Sequence, residues 1–226
     1  MDIAIFGTGT VARELAAALL ARGHQVALGT RDPATTRSRE APNAATPGFA
    51  DWQADHPAVR LAPFAEAAAG ASLLINATGG AVSLDALAAA DLDPSDRRIL
   101  LDVSNPLDFS QGFPPSLTVC NTASLGEAIQ AAYPSLRVVK ALNTVAAPLM
   151  VNPKALAEGE HTMLICGDDA DAKAEVAARL RDWFGWRDVV DVGDMRCARG
   201  LEAYLLLWTR LYGALGTPSF SIKLVR

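Results

Sequence analysis

DIAIFGTGTVAREL, residues 2–15, decides the fold. Its first five residues are a short apolar run of the kind that forms a buried strand. The run breaks into Gly7-Thr8-Gly9-Thr10-Val11-Ala12, a GxGxxA loop, and then into an amphipathic segment with Val11, Leu15, Ala18 and Leu19 on one helical face. In that context each small residue has a purpose. Gly7 permits the tight turn, Gly9 lets the backbone come close to a pyrophosphate, and Ala12 lets the helix pack on the strand. The free N–H groups of the helix's first turn then receive the anion. A glycine turn of purely structural use is the alternative. The strand before the loop, the helix after it and a second strand beyond favour a dinucleotide site.

Further along, apolar runs alternate with Ala-rich helical stretches: QVALG (25–29), AVRLA (58–62), SLLINA (72–77), RILLDV (98–103) and RVVKAL (136–141). Their Val, Ile and Leu do not alternate with polar residues, as expected for strands covered on both faces. The pattern predicts an α/β fold, a Rossmann-type doubly wound parallel sheet over 1–150, followed by a small C-terminal α/β lobe over 151–226. That lobe should hold strands at TMLICG (162–167) and DVVDVG (188–193). The helix between them should bury Val176, Leu180, Trp183 and Phe184, and a long final helix should follow, with Leu201, Tyr204, Leu205, Trp208, Leu211 and Tyr212 on one side. Ser124 and Glu127 fit a capping box for a helix ended by Pro134. Residues 32–57, with Pro33, Pro42, Pro47 and Pro57, read as a long surface loop with one irregular helix.

About twenty residues beyond the glycines, an NAD-specific site supplies an acid for the ribose 2′-hydroxyl. Here that position holds Gly29-Thr30-Arg31. A guanidinium and a hydroxyl suit a 2′-phosphate, and Arg37 or Arg39 could add a second cation. Two other readings stand beside this one: Asp32 reaches back to the ribose, or Arg31 is a solvated loop charge. The reading preferred is that the ligand is NADP(H).

Three strand exits are small and polar: Asn76-Ala77-Thr78-Gly79-Gly80, Ser104-Asn105-Pro106 and Asn143-Thr144. In register they would wall a nicotinamide, with Ala77, Thr78, Gly79, Ser104, Asn105 and Asn143 as cofactor contacts. Asn143, Thr144 and Asn105 are the candidates facing an acceptor; ordinary turn chemistry is the rival explanation. No Tyr-x-x-x-Lys pair is present. His24, His56 and His161 lie away from the exits, and Lys140, inside a strand, reads as a salt-bridged structural cation, with a site cation as the alternative. Without an acid–base set, the expected acceptor needs hydride alone, such as a flavin or deazaflavin ring.

The formal charge of −5 leaves no basic footprint, so neither nucleic acid nor an anionic membrane is an expected partner. Cys120, Cys166 and Cys197 form no CxxC and no metal-ligand spacing, and read as reduced thiols of a cytoplasmic protein. The N-terminus lacks a basic leader, and no apolar run approaches a membrane span.

Several segments together carry a resemblance: IFGTGTVA (5–12), LGTRD (28–32), LDVSNPL (101–107), VVKALNTV (138–145), ICGDDADAK (165–173) and the closing helix from Ala198 to Gly216. The chain resembles the NADPH-dependent oxidoreductases grouped with the coenzyme F420-dependent NADP reductases. It also resembles the cytosolic domain of the six-transmembrane epithelial antigen metalloreductases. The resemblance implies NADPH held by Thr8, Gly9, Thr10 and Val11, with Thr30 and Arg31 on the 2′-phosphate, a C-terminal lobe over the nicotinamide, and a homodimer. Deazaflavin-using members carry a His where this chain has Asn143; the metalloreductase branch carries Asn. The implied activity is hydride transfer between NADP(H) and a flavin, coenzyme F420 or a small organic acceptor. Rival functions are an imine or carbonyl reductase similar to pyrroline-carboxylate reductase, and a non-catalytic NADPH-binding redox sensor. The Trp208/Tyr212 face is a candidate dimer or acceptor surface, with core packing as the alternative.

Overall fold

The computed structural model describes residues 1–41 and 46–226. Among them ten strands form: β1 (Asp2–Phe6), β2 (Gln25–Thr30), β3 (Arg60–Pro63), β4 (Leu73–Asn76), β5 (Ile99–Asp102), β6 (Leu107–Asp108), β7 (Ser116–Leu117), β8 (Arg137–Lys140), β9 (Thr162–Gly167) and β10 (Asp188–Asp191). Eight of these make one sheet in the order β10-β9-β8-β5-β4-β1-β2-β3, while β6 and β7 pair as a small hairpin. From β3 to β8 all neighbours are parallel. The strand order turns back at β1, whose neighbours are β2 and β4. Open sheets of this kind bind ligands above that reversal, at the carboxyl ends of the strands.

Successive residues of the central strands serve opposite faces, as pleating requires. Ile3, Ile5, Leu73, Ile75, Ile99, Leu101 and Val139 join one buried cluster. Ala4, Phe6, Leu74, Leu100 and Val138 join the other. Helices cover both faces, which is why the strands read as unbroken apolar runs. On the first face lie α1 (Thr10–Leu20), α7 (Ala147–Val151) and α8 (Ala170–Arg179). On the second lie α4 (Phe64–Ala68), α5 (Ser83–Ala88), α6 (Leu125–Ala132) and the start of α9 (Ala198–Leu215). The doubly wound expectation is met.

The stretch 151–226 joins this sheet directly. β9 runs antiparallel beside β8, with Val139 opposite Gly167 and Lys140 opposite Cys166, and β10 pairs parallel to β9. Trp186 and Phe184 share a buried cluster with Ile3 and Leu15, so no break in the core separates 1–150 from 151–226.

Residues 32–57 differ from the expected loop. They hold two short helices, α2 (Pro33–Ser38) and α3 (Phe49–Asp55), and α3 buries Phe49 and Trp52. Pro42 lies outside the described residues. Other expectations hold in detail: the Ser124 hydroxyl accepts from Glu127 N at 3.1 Å and opens α6, which ends before Pro134. On α9 only Leu201 and Leu205 of the six expected apolar residues are buried; Tyr204, Trp208 and Leu211 are half-buried and Tyr212 is exposed.

Candidate functional site

Gly7 leaves β1 at φ +116°, a conformation that disfavours any side chain. A Cβ on Gly7 would also stand 2.6 Å from Ala77 O, so the loop after β1 touches the loop after β4 backbone to backbone. Gly9, by contrast, has ordinary backbone angles and nothing within 4 Å of where its Cβ would be. It precedes α1, whose N-terminus has no side-chain cap and no acid in its first turn. The first-turn N–H groups of α1 therefore keep their capacity to bind an anion. Arg13, which sequence reasoning passed over, donates to Thr8 O at 3.0 Å and to Pro47 O at 2.7 Å. Its guanidinium also lies over the Phe49 ring at 5.1 Å. It ties the glycine loop to α3; in sequence it is indistinguishable from a solvated helix charge.

At the end of β2 the predicted pair separates. Thr30 is buried, and its hydroxyl is 2.8 Å from that of Thr36. Arg31 is exposed and has no hydrogen bond or ion pair to the described residues. Arg37 is exposed on α2 and donates to Gln53 Oε1 at 3.2 Å. Asp32 caps α2: its carboxylate accepts from Ala34 N at 2.8 Å, Thr35 N at 3.3 Å and the Thr35 hydroxyl at 2.5 Å. The Thr35 hydroxyl, with the two amides, holds the Asp32 carboxyl below the usual carboxylate range. Its oxygens are thus engaged within α2.

Between the exits of β1, β4 and β5 opens a crevice of about 360 Å³. Val11, Ala77, Thr78, Gly79, Ser104 and Asn105, all expected from sequence, line it. So do residues not expected: Val82, Leu107 and Phe109, the last two from the β6–β7 hairpin segment. Among the described residues no titratable side chain lines the crevice. Three larger hollows, of about 510, 600 and 470 Å³, lie at the amino ends of the strands, away from the reversal.

The crevice wall is held by a buried polar network. Asn76 Nδ2 donates to Ser83 Oγ at 3.1 Å, Asp102 Oδ1 at 3.0 Å and Ser104 Oγ at 3.3 Å. The Thr78 hydroxyl donates to Asn76 Oδ1 at 2.7 Å. Ser104 Oγ donates to Asp102 Oδ1 at 2.6 Å. Behind it, Lys140 Nζ lies 2.7 Å from both Asp102 Oδ2 and Glu202 Oε1, all three side chains being buried. Burial pulls the Lys140 pKa down, but the two carboxylates outweigh it and the net shift is upward. Glu202 also accepts from Leu125 N and Gly126 N at the start of α6.

Asn143 and Thr144 lie buried at the β8 exit and do not line the crevice. Asn143 Nδ2 donates to Asn105 Oδ1 at 2.9 Å and to Leu201 O at 3.1 Å, and Asn105 Nδ2 donates to Asn143 O at 2.9 Å. The pair clamps the β5 exit, the β8 exit and α9 together. Asn143 Oδ1 and the Thr144 hydroxyl have no hydrogen-bond partner among the described residues. Each histidine packs on a tryptophan: His24 on Trp183, His56 on Trp52 and His161 on Trp186.

This chain is similar over its full length to a candidate F420-dependent NADP reductase from Arthrobacter sp. FB24, with 51% identity, a TM-score of 0.94 and complete coverage of both chains. A family model described as "NADP oxidoreductase coenzyme F420-dependent" matches residues 2–106. The chain belongs to this NADP oxidoreductase family. It is an NADP-dependent oxidoreductase. It is also 29% identical over 203 residues to the metalloreductase STEAP3 of Rattus norvegicus, covering 89% of this chain but only 36% of that protein. A reductive aminase from Aspergillus terreus, solved with NADPH and ethyl levulinate, aligns over 95% of this chain and 62% of its own, with TM-score 0.62. At 17% identity that likeness concerns the fold. Among the described residues no helix is long and apolar enough to cross a membrane, and no three His, Cys, Asp or Glu side chains group to hold a metal ion.

Proposed function

We propose that the chain transfers hydride between NADP(H) and a flavin-like or other small organic acceptor in the crevice above β1. The observation that carries this is the pairing of an uncapped α1 N-terminus with an adjoining crevice free of acid–base groups. The open space at Gly9 and the free first-turn N–H groups fit a pyrophosphate. In this reading Gly7, Thr8, Gly9, Thr10 and Val11 hold the phosphates. Arg31, with Arg37 nearby on α2, faces the 2′-phosphate. Thr30 supports that edge indirectly, since its hydroxyl is turned to Thr36. Ala77, Thr78, Gly79, Ser104 and Asn105 would flank the nicotinamide, and Asn143 with Thr144 would set the wall behind them.

When bound there, NADPH supplies the hydride. The protein's part is orientation and exclusion of water by Val82, Leu107 and Phe109. The name of the matching family points to coenzyme F420 as one acceptor to try. The three free thiols support a reducing, cytoplasmic setting, and the exposed Leu206, Leu207 and Leu215 on α9 support a homodimer. The test is NADPH oxidation across flavin mononucleotide, flavin adenine dinucleotide, coenzyme F420, ferric chelates and small imines. Turnover with a ring acceptor supports the reading; tight NADPH binding without turnover on any of them contradicts it and favours a sensor.

A further inference from the structure

Thr78 and Ser104 put hydroxyls on the crevice wall, and the network behind them fixes where their protons go. The anchor is Asp102, buried at the end of β5. Among the described residues its hydrogen-bond partners are all donors. Lys140 Nζ stands 2.7 Å from Oδ2, while Oδ1 accepts from Ser104 N at 3.1 Å, Asn76 Nδ2 at 3.0 Å and Ser104 Oγ at 2.6 Å. A carboxylate has lone pairs and no proton to give, so the single hydroxyl proton of Ser104 goes to Asp102. The same carboxylate orients the Asn76 amide. Its NH2 must face Asp102, which turns its oxygen towards Thr78. That oxygen accepts from Thr78 N at 3.3 Å and from the Thr78 hydroxyl at 2.7 Å. The hydroxyl proton of Thr78 is therefore committed as well.

Each hydroxyl oxygen has two lone pairs and only one donor among the described residues. For Ser104 it is Asn76 Nδ2 at 3.3 Å, and for Thr78 it is the Ser83 hydroxyl at 2.9 Å. Each keeps a lone pair for a donor bound in the crevice and has no proton left for an acceptor. Asn105, the third polar side chain of the lining, is engaged with Asn143 through both atoms of its amide.

Resting on the hydride-transfer reading above, we infer that Thr78 and Ser104 act as paired hydrogen-bond acceptors that read the carboxamide NH2 of the nicotinamide ring and select against ring substituents without a donor. An acetyl group would set a methyl against lone pairs that have lost their water. A carboxylate would set oxygen lone pairs against oxygen lone pairs, with Asp102 behind them. A site built to hydrogen-bond a donor rejects the analogue lacking it more strongly than an apolar pocket rejects a change of size. Holding the carboxamide also fixes the rotation of the ring about its glycosidic bond, and so the face offered to an acceptor.

The test is binding, measured by titration calorimetry. The probes are NADP+, its thionicotinamide analogue, its 3-acetylpyridine analogue and nicotinic acid adenine dinucleotide phosphate, which differ only at the ring substituent. The thionicotinamide form keeps the NH2 and should bind within about twofold of NADP+. The acetylpyridine form should bind about tenfold more weakly than NADP+, and the nicotinic acid form more weakly still. In the double variant Thr78→Val/Ser104→Ala, checked for folding by its melting curve, the ratio of acetylpyridine to NADP+ Kd should fall to about twofold. The comparison on the unsubstituted chain decides even where the variant does not fold. An acetylpyridine form bound as tightly as NADP+, or a ratio that the folded double variant leaves unmoved, would overturn the inference. So would a thionicotinamide form that binds as weakly as the acetylpyridine one, since the carbonyl oxygen would then be the atom read. Failure of all four nucleotides to bind would instead overturn the reading on which it rests.

Discussion

Gly7 and Gly9 belong to one loop, yet the structure assigns them opposite kinds of constraint. Gly7→Ala would force a side chain onto φ +116° and place Cβ 2.6 Å from Ala77 O, where both partners are backbone. Such strain costs about 1–3 kcal/mol, and for a chain of this length each kcal/mol lowers Tm by roughly 2–4 °C. Gly9→Ala meets no atom within 4 Å at φ −76° and ψ −176°. Alanine there should leave stability unchanged or raise it by up to about 1 kcal/mol, through the less flexible unfolded chain. The NADPH effect should run the other way. A methyl at Gly9 occupies the approach to the α1 amides. Losing one charge-assisted hydrogen bond to the pyrophosphate costs about 1.5–3 kcal/mol, or roughly 10- to 150-fold in Kd. Thermal melting and fluorescence titration of NADPH read the two effects separately. A Gly9→Ala protein that melts normally and binds NADPH like the unsubstituted chain would refute placement of the phosphates at this loop.

Lys140→Met strands Asp102 and Glu202 as buried carboxylates and should cost about 3–5 kcal/mol, measured by urea unfolding at pH 7. A loss under about 1 kcal/mol would mean the three groups are not charged together. The folded-state pKa of Lys140 is raised, so its contribution is fully present below the unfolded value of about 10.5 and is lost as pH climbs past that. Alkaline loss of stability should accordingly be weaker in Lys140→Met. Burial pushes the Cys166 thiol up to about 12, whereas Cys120 is exposed. At pH 8 a disulfide reagent should modify Cys120 rapidly and Cys166 only after unfolding; a Cys120→Ser protein that keeps the fast phase would contradict this.

The sheet was legible because its cause is local. The central strands are short apolar runs rich in Val, Ile and Leu, and the burial of both faces that such runs imply is what β1, β4, β5 and β8 show. The glycine loop was legible for the same reason, since its requirement is steric and written in residue size. Residues 32–57 depart from the expected loop because a proline in the first turn of a helix starts the element and does not break it. Pro33 occupies the first turn of α2 behind the Asp32 cap, a start signal present in the sequence. Thr30 shows what spacing cannot supply: its place along the chain suits a phosphate, and only packing shows its hydroxyl turned to that of Thr36. Phe109 and Leu107 reach the crevice through the β6–β7 hairpin, whose two-residue strands leave almost no periodic signal. The clamp of Asn143 on Leu201 O joins residues 58 apart in sequence and was likewise invisible.

Arg31 is the side chain that would read the phosphate separating NADPH from NADH. Arg31→Ala removes an exposed guanidinium that has no partner among the described residues, so the fold should not register the change. Dissociation constants for the two nucleotides, measured side by side on this variant, give the answer. NADPH should weaken about 10- to 100-fold, the worth of a charge-assisted contact to a dianion, while NADH shifts by no more than about twofold. Equal weakening of both nucleotides, or of neither, would contradict it.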